Sequence, residues 1–428
     1  MPKLHAPHVM VSAVEFAKHI HANYPGLAIV CESRVAHAVH EQLPFPVYTT
    51  LAGNHGSGGS LVQYPRKIDL VTTMGGDGTV LRAASLFSHH ASVPPILSFS
   101  MGTIGFLGEW KFAEYKRAWR EAYMSGSDVL VEDLVGPHTQ AAAAAAAATD
   151  DPESLCHTGN GERVTPHNYQ PSAWDAVRGK SLGPNRASKI LLRNRLRVGI
   201  YDREGRNINE QLLPNSSMAE PDLRAAPPDG DVMHSSTLPC PASPPLLHAI
   251  NEVSIDRGVH PHLAIIDIFV NGRFLTEAVA DGILISTPTG STAYSLSAGG
   301  SIVHPLVKSL LITPISPRSL SFRPLVLPLH SRVVLRLSKR NRGRELPVSI
   351  DGKRRAGVGI GMEVRVEGET LARAGNGPRG WRGGVPCVIR ASLTGAGGEA
   401  PEDDDSWVGG LNGLLKFNYP FGEPGHGH

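Results

Sequence analysis

The sequence predicts two domains of different class: an N-terminal α/β domain with a Rossmann-like parallel sheet, then an all-β C-terminal domain. Three observations carry this expectation. Apolar strand-like runs alternate with amphipathic helical stretches over residues 1–135, the pattern of a parallel sheet covered on both faces. From 246 to 385 short strands follow one another with turns between them. At 428 residues the chain is long enough for two separate cores.

The elements follow in order. Ala13, Phe16, Ala17 and Ile20 recur at helical spacing, so residues 10–23 read as a helix. LAIVCE (27–32) is a short buried strand and SRVAHAVHEQL (33–43) a second helix. KIDLVTT (67–73) is another strand, followed by MGGDGTVLRAAS, a glycine loop opening into a helix. PPILSFSM (94–101) reads as a strand and FAEYKRAWREAYMSG (112–126) as a helix. Residues 136–188, with an eight-alanine tract, and the Pro/Ser-rich 206–245 read as low-complexity insertions. Between them, KILLRNRLRVGIYDREGRNI predicts a hairpin (189–205) joining the β domain, with Asp202-Arg203-Glu204-Gly205 at its turn. Val270-Asn271-Gly272-Arg273 predicts a hairpin turn of the Asn-Gly kind within the β domain. The last segment, 386–428, contains SWVGGLNGLLKFN, in which Trp407, Leu411, Leu414 and Leu415 are spaced as a helix.

Composition excludes several classes of protein. A net charge of +2 with no basic block argues against a nucleic-acid footprint. No apolar run reaches membrane-spanning length, and the N-terminus has neither signal- nor transit-peptide character, so a soluble intracellular protein is expected. Cys31, Cys156, Cys240 and Cys387 are far apart, which fits free thiols rather than a zinc site. The 46 glycines and 34 prolines point to long loops.

Three stretches carry chemistry. Gly75-Gly76-Asp77-Gly78-Thr79 lies where a parallel strand ends and a helix begins, the place where such sheets bind ligands. Its glycines let backbone N–H groups approach a phosphate, helped by the helix N-terminus. Asp77 is the odd member, because a carboxylate repels phosphate. It reads as a base, as a Mg²⁺ contact, or as a plain helix N-cap. STPTGSTAYSLSAGGSIVHP (286–305) packs hydroxyls and glycines around Tyr294, either for ribose and phosphate oxygens or to satisfy its own backbone. Asn251-Glu252, polar within AINEVSI, and Asp281 before Gly282 are the third group.

Together, GGDGT, NE within AINEVSI and DGILISTPTGSTAYSLSAGG resemble the ordered motif set of the NAD kinases. PPILSFSMGTIGFLG, HPHLAIIDIFVNGRFLTEAVADG and SLSFRPLVLP look closest to the family's fungal mitochondrial branch, which favours NADH. The resemblance implies ATP-dependent phosphorylation of the 2′-hydroxyl on the adenosine ribose of NADH or NAD⁺. The active site is then expected in the cleft between the domains, with Mg²⁺ arriving on ATP. It also implies a dimer or larger homo-oligomer, a mitochondrial address from the branch alone, and a final segment returning to the N-terminal domain.

Carried over residue by residue, Asp77 matches the family's general base and Gly78 its backbone partner. Gly75, Gly76 and Thr79 match the phosphate loop. Arg82 sits where a basic residue meets the diphosphate. Asn251 and Glu252 match dinucleotide contacts, and Asp281 a carboxylate near the nicotinamide end. Thr292, Ala293, Tyr294, Ser295 and Ser297 match the segment that holds the adenosine half, and His262 a variable contact position. One departure stands out: the family opens with a strand, whereas MPKLHAPHV is too short and polar to be one, so the first strand reads as missing. The rivals are a lipid kinase sharing GGDGT, a phosphofructokinase-like enzyme, and an NAD(H)-binding regulator without turnover.

Overall fold

In a computed structural model, the described residues are 1–3, 6–49, 68–88, 90, 92–102, 105–124, 188–209, 247–373, 381–390, 407, 410, 411 and 415. The N-terminal part forms α1 (Pro7–Asn23), β1 (Val30–Cys31), α2 (Ser33–Val39), β2 (Tyr48–Thr49) and β3 (Val71–Gly75). It continues with α3 (Asp77–Ser85), β4 (Ile96–Ser100), β5 (Trp110–Lys111) and α4 (Tyr115–Met124). Pro7 opens α1, where its missing N–H costs nothing and its fixed φ suits the first turn.

Strands β3 and β4 pair in parallel, and their alternate side chains feed two cores. Leu97 and Phe99 join Phe16 and Ile20 of α1 and Tyr115 of α4 on one face. Phe16 is the hub there, edge-on to Phe99 at 5.7 Å, Tyr115 at 5.9 Å and Trp119 at 5.4 Å. On the other face, Val71 and Ile96 pack on Val80, Ala83, Ala84 and Phe87 of α3 and the turn after it. Helix α3 is therefore pressed flat on the strand that delivers its own N-terminus.

Two expectations are corrected. The first strand is not simply absent: Met1–Lys3 lie along β3, with a parallel bridge between Pro2 and Met74. Lys3 N–H donates to Met74 O at 2.8 Å and Met74 N–H to Met1 O at 3.1 Å. Pro2 is buried and Met1 packs on the core beneath α3, so backbone bonds and apolar contact together hold these residues at the edge without forming a full strand. Nor does 189–205 join the β domain as one hairpin. The first arm, β6 (Lys189–Arg193), crosses to the α/β sheet; the second, β7 (Leu196–Tyr201), enters the β domain, and buried Asn194 and Arg195 lie between them. The turn itself forms, with Asp202 N–H on Arg206 O at 3.0 Å, but it returns β7 onto Asn207.

The β domain adds β8 (Leu247–Ala249), β9 (Glu252–Asp256), β10 (Ala264–Val270), β11 (Arg273–Ala280), β12 (Gly282–Ser286) and β13 (Ser309–Ile315). Then come β14 (Leu325–Pro328), β15 (Arg332–Leu337), β16 (Glu345–Ile350), β17 (Lys353–Gly359) and β18 (Glu363–Gly368). Two antiparallel six-stranded sheets result, ordered β11-β10-β15-β18-β7-β8 and β14-β13-β12-β9-β16-β17. Their inner faces share one core, including Val198, Ile200, Ile266, Ile283, Ile285, Ile312, Leu335 and Val364. Asn271 (φ 51°) and Gly272 (φ 79°) both take left-handed backbone, as a two-residue hairpin turn requires. After the short pair β19 (Ala372–Arg373) and β20 (Trp381–Arg382), β21 (Val385–Ile389) pairs with β4 and β6. The insertion 136–187 and residues 210–245 of the second lie outside the described residues, as does most of the tail; Trp407, Gly410, Leu411 and Leu415 are helical there.

Candidate active site

Asp77 is the first residue of α3, with Gly76 at the cap position, and its side chain does not cap the helix it begins. Instead its carboxylate reaches the loop after β4. Phe106 N–H donates to Oδ2 at 3.0 Å and Leu107 N–H to Oδ1 at 2.9 Å. Gly105 lies so close that a Cβ there would overlap Oδ1. That loop is itself tied down: Ser98 Oγ donates to Leu107 O at 2.8 Å, and buried Arg193 donates to Phe106 O at 3.2 Å. The capping alternative is thereby set aside. What remains is a carboxylate gripped by two amides at the mouth of β3.

Gly75 is built for the same turn, since a Cβ there would overlap Thr79 Oγ1. Thr79 is buried and donates its N–H to Gly76 O at 2.9 Å. Gly76 and Gly78 are exposed and face open space, leaving the loop's backbone accessible. Arg82 projects from α3 to Glu32 at 2.6 Å. Lys353 lies close enough to Arg82 and Arg355 to feel both; burial first, then these two cations, lowers its pKa.

The second half of the site is the start of β9. Asn251 and Glu252 are buried, and Asn251 Oδ1 and Glu252 Oε2 have no hydrogen-bond partner among the described residues. Buried polar atoms left open in this way are uncommon and call for a ligand or water. Burial, and then the neighbouring Asp351, pushes the Glu252 carboxyl up to about 8. Near neutral pH it thus offers an O–H donor as well as acceptors. Asp351, from the turn between β16 and β17, accepts the N–H groups of Ile250 at 2.9 Å, Asn251 at 2.7 Å and Glu252 at 3.2 Å.

Strand β12 pairs with β9 so that Ser286 faces Glu252, which brings STPTGSTAY onto Asn251. Thr287 N–H donates to Asn251 O at 2.9 Å, and the Thr287 hydroxyl to Ile250 O. Gly290 sits against the Asn251 carbonyl, where a Cβ would collide. Several hydroxyls here bond within the fold, whereas buried Ser286 Oγ has no partner among the described residues. Ser291 Oγ bonds Pro288 O and Val303 N–H, Thr292 Oγ1 donates to Thr289 O at 3.2 Å, and fully buried Ser295 pairs with Thr313 at 2.9 Å. Tyr294, 43% exposed, Ser297 and Ala293 remain available at the surface of the turn α5 (Tyr294–Ser297) and its approach. The Ser295 hydroxyl is thus engaged within the β domain.

Asp281 sits at the other end of the β9–β12 ladder, paired with Arg257 at 2.6 Å. Four strand residues separate that end from Glu252, roughly 14 Å at about 3.4 Å per residue. Tyr294 spans the gap electrostatically: burial first, then Asp256, Asp281 and Glu252, raises its hydroxyl pKa. His262 is exposed in the loop before β10.

A glycine loop with a clamped carboxylate, together with a β-domain segment carrying open polar groups, suits a phosphotransferase acting on a nucleotide. Residues 33–127 match the ATP-NAD kinase N-terminal domain and residues 250–370 the ATP-NAD kinase C-terminal domain. The mitochondrial NADH kinase of Schizosaccharomyces pombe is 31% identical over 95% of this chain and 71% of its own. That of Saccharomyces cerevisiae is 29% identical over 97% and 79%. The crystal structure of yeast NADH kinase complexed with NADH superposes with a TM-score of 0.63 at 27% identity, covering 98% of this chain and 87% of that one. The chain belongs to the NAD kinase family.

Proposed function

We propose that this chain transfers the γ-phosphoryl group of ATP to the 2′-hydroxyl on the adenosine ribose of NADH and NAD⁺, with NADH preferred, giving NADPH and NADP⁺. The observation that carries the mechanism is the carboxylate of Asp77, fixed by two amides beside an open glycine loop. The ribose 2′-oxygen attacks the γ-phosphorus while the bond from that phosphorus to the β,γ-bridging oxygen breaks. ADP leaves with the electron pair, and the hydroxyl proton passes to Asp77. Such transfers depend mostly on positioning and charge neutralisation. The exposed backbone of Gly76 and Gly78, the buried turn of Gly75 and Thr79, and Arg82 supply both to the phosphates. Asn251, Glu252, Thr292, Ala293 and Tyr294 hold the dinucleotide, while Asp281 and His262 serve its far end.

Among the described residues no group of three or more metal-ligating side chains is found, which suits Mg²⁺ carried on ATP itself. When bound, the ion neutralises phosphate charge. A homo-oligomer fits the exposed apolar groups Phe274, Leu275 and Leu320, which are 60%, 44% and 86% accessible. The mitochondrial relatives suggest that compartment for this chain too; no helix among the described residues is long and apolar enough to cross a membrane.

The test is a coupled assay with ATP and Mg²⁺, wild type beside Asp77→Asn, with NADH and NAD⁺ compared. Turnover that falls by about 10²–10⁴-fold in the variant, with NADH binding kept, supports the base. A wild type that binds NADH without turnover would favour a regulator instead.

A further inference from the structure

Three ionisable side chains are buried where the two domains meet, away from the glycine loop. Arg195 is 2% exposed, Glu369 6% and His248 9%. Arg195 grips Glu369 with two parallel bonds, Nε to Oε2 at 2.8 Å and Nη2 to Oε1 at 2.7 Å. His248 Nε2 approaches Glu369 Oε1 at 3.3 Å, and Gly384 N–H donates to Oε2 at 2.7 Å.

The remaining donors of the cluster point at one place. Arg195 donates to Phe87 O at 3.3 Å and His90 O at 2.9 Å, and His248 Nδ1 to Ser88 O at 2.5 Å. Those carbonyls belong to the turns that extend α3, in which Phe87 N–H reaches Ala84 O and His90 N–H reaches Phe87 O. They form the negative end of the helix dipole, where cations are favoured. Helix α3 is nine residues long, roughly 13 Å, and begins at Asp77. Whatever fixes its C-terminal end therefore fixes the direction in which Asp77 is presented.

The other side of the cluster leads to the dinucleotide. His248 lies in β8, three residues before Asn251. A single buried knot thus holds the base helix and the Asn251–Glu252 segment. A buried ion pair such as Arg195–Glu369 seldom stabilises a fold better than apolar packing would. What it supplies, through bidentate geometry and directed donors, is a fixed relative placement.

We propose that Arg195, His248 and Glu369 are positioning residues for phosphoryl transfer: a brace that sets Asp77 against Asn251 and Glu252 across the domain junction. The proposal rests on the kinase reading above.

The test compares His248→Gln and Arg195→Lys with wild type, in kinetics, NADH binding by fluorescence and thermal melting. A brace predicts that kcat of each folded variant falls at least tenfold while the NADH dissociation constant changes less than about threefold. Lysine keeps the charge of Arg195 but not its fork, so it should not rescue. Variants that melt earlier yet keep wild-type kcat would reduce the cluster to a structural ion pair and overturn the proposal. So would a rise in KM alone. His248→Gln, which leaves the Arg195–Glu369 pair intact, is read alone if Arg195→Lys does not fold. A wild type without turnover would refute the kinase reading; normal wild-type turnover with unaltered variants would refute the brace only.

Discussion

Leu107 donates its backbone N–H to Asp77 Oδ1 at 2.9 Å, while Gly105, two residues earlier, leaves no room for a side chain beside that same oxygen. The glycine is what lets the loop close on the carboxylate. Gly105→Ala should push the carboxylate off its two amides without touching the loop that receives phosphate. A misplacement of about 1 Å near the reacting atoms can cost on the order of 10²-fold. The expected result is a kcat lower by about that factor with KM for ATP and NADH nearly unchanged. Steady-state kinetics check it; an alanine variant with full kcat would mean that the clamp does not orient the base.

Glu252 should make stability depend on pH. Its folded pKa is raised to about 8, by burial and then by Asp351, against about 4.3 for an exposed glutamate. The native state therefore holds this proton more tightly than the unfolded chain does. That contribution is fully present below about pH 4.3 and is lost as pH rises through about 8. Asp351, pushed upward by burial, acts in the same direction. Between pH 5 and 9, wild type should lose stability relative to Glu252→Gln, by at most on the order of 5 kcal/mol. Urea unfolding across that range reads it, and parallel curves for the two proteins would place the Glu252 pKa near its ordinary value.

The sequence made the sheet class legible because β3, α3 and β4 each carry a clear local period, and glycines mark the loop between β3 and α3. It could not assign β6, since alternation in KILLR shows a strand but not its partner, and β21 lies almost 200 residues away. Asp351 escaped for a related reason: its Asp-Gly pair reads as an ordinary hairpin turn, and the amides it accepts lie about 100 residues upstream. The Arg195–Glu369 pair spans 174 residues and has no spacing to betray it. Hydroxyl density singled out the 286–305 stretch but could not say which side chains bond within the fold, because Ser and Thr readily bond nearby backbone, as Ser291 and Thr292 do.

Ser295 and Tyr294 are adjacent and should behave in opposite ways. Ser295 is fully buried with its hydroxyl on Thr313 at 2.9 Å, so Ser295→Ala leaves Thr313 without that partner. A loss of about 1–3 kcal/mol in stability is expected. Its NADH affinity below the melting range should stay as in wild type. Tyr294, exposed beside the open groups of Asn251 and Glu252, should show the reverse on replacement by alanine: unchanged melting and a KM for NADH several-fold higher. Melting curves and NADH titrations on the two variants separate a residue that holds the loop from one that meets the ligand.

Asp351 carries the last prediction. Its two oxygens serve three successive amides, at Ile250, Asn251 and Glu252, and so hold the segment that carries the open polar atoms Asn251 Oδ1 and Glu252 Oε2. Its own backbone sits at φ 47°, in a turn shaped to bring the carboxylate inward. Asparagine preserves the size but substitutes an NH₂ for one acceptor, so that donors would face donors. Stability should fall by about 2–4 kcal/mol, the scale of buried amides left without acceptors. The NE segment would then lose its fixed register against Thr287, and KM for NADH should rise about tenfold, more than kcat falls. Urea unfolding and NADH titration of Asp351→Asn measure both. If stability drops while NADH affinity stays at the wild-type value, the β9–β12 ladder alone sets the dinucleotide segment, and Asp351 serves only the fold.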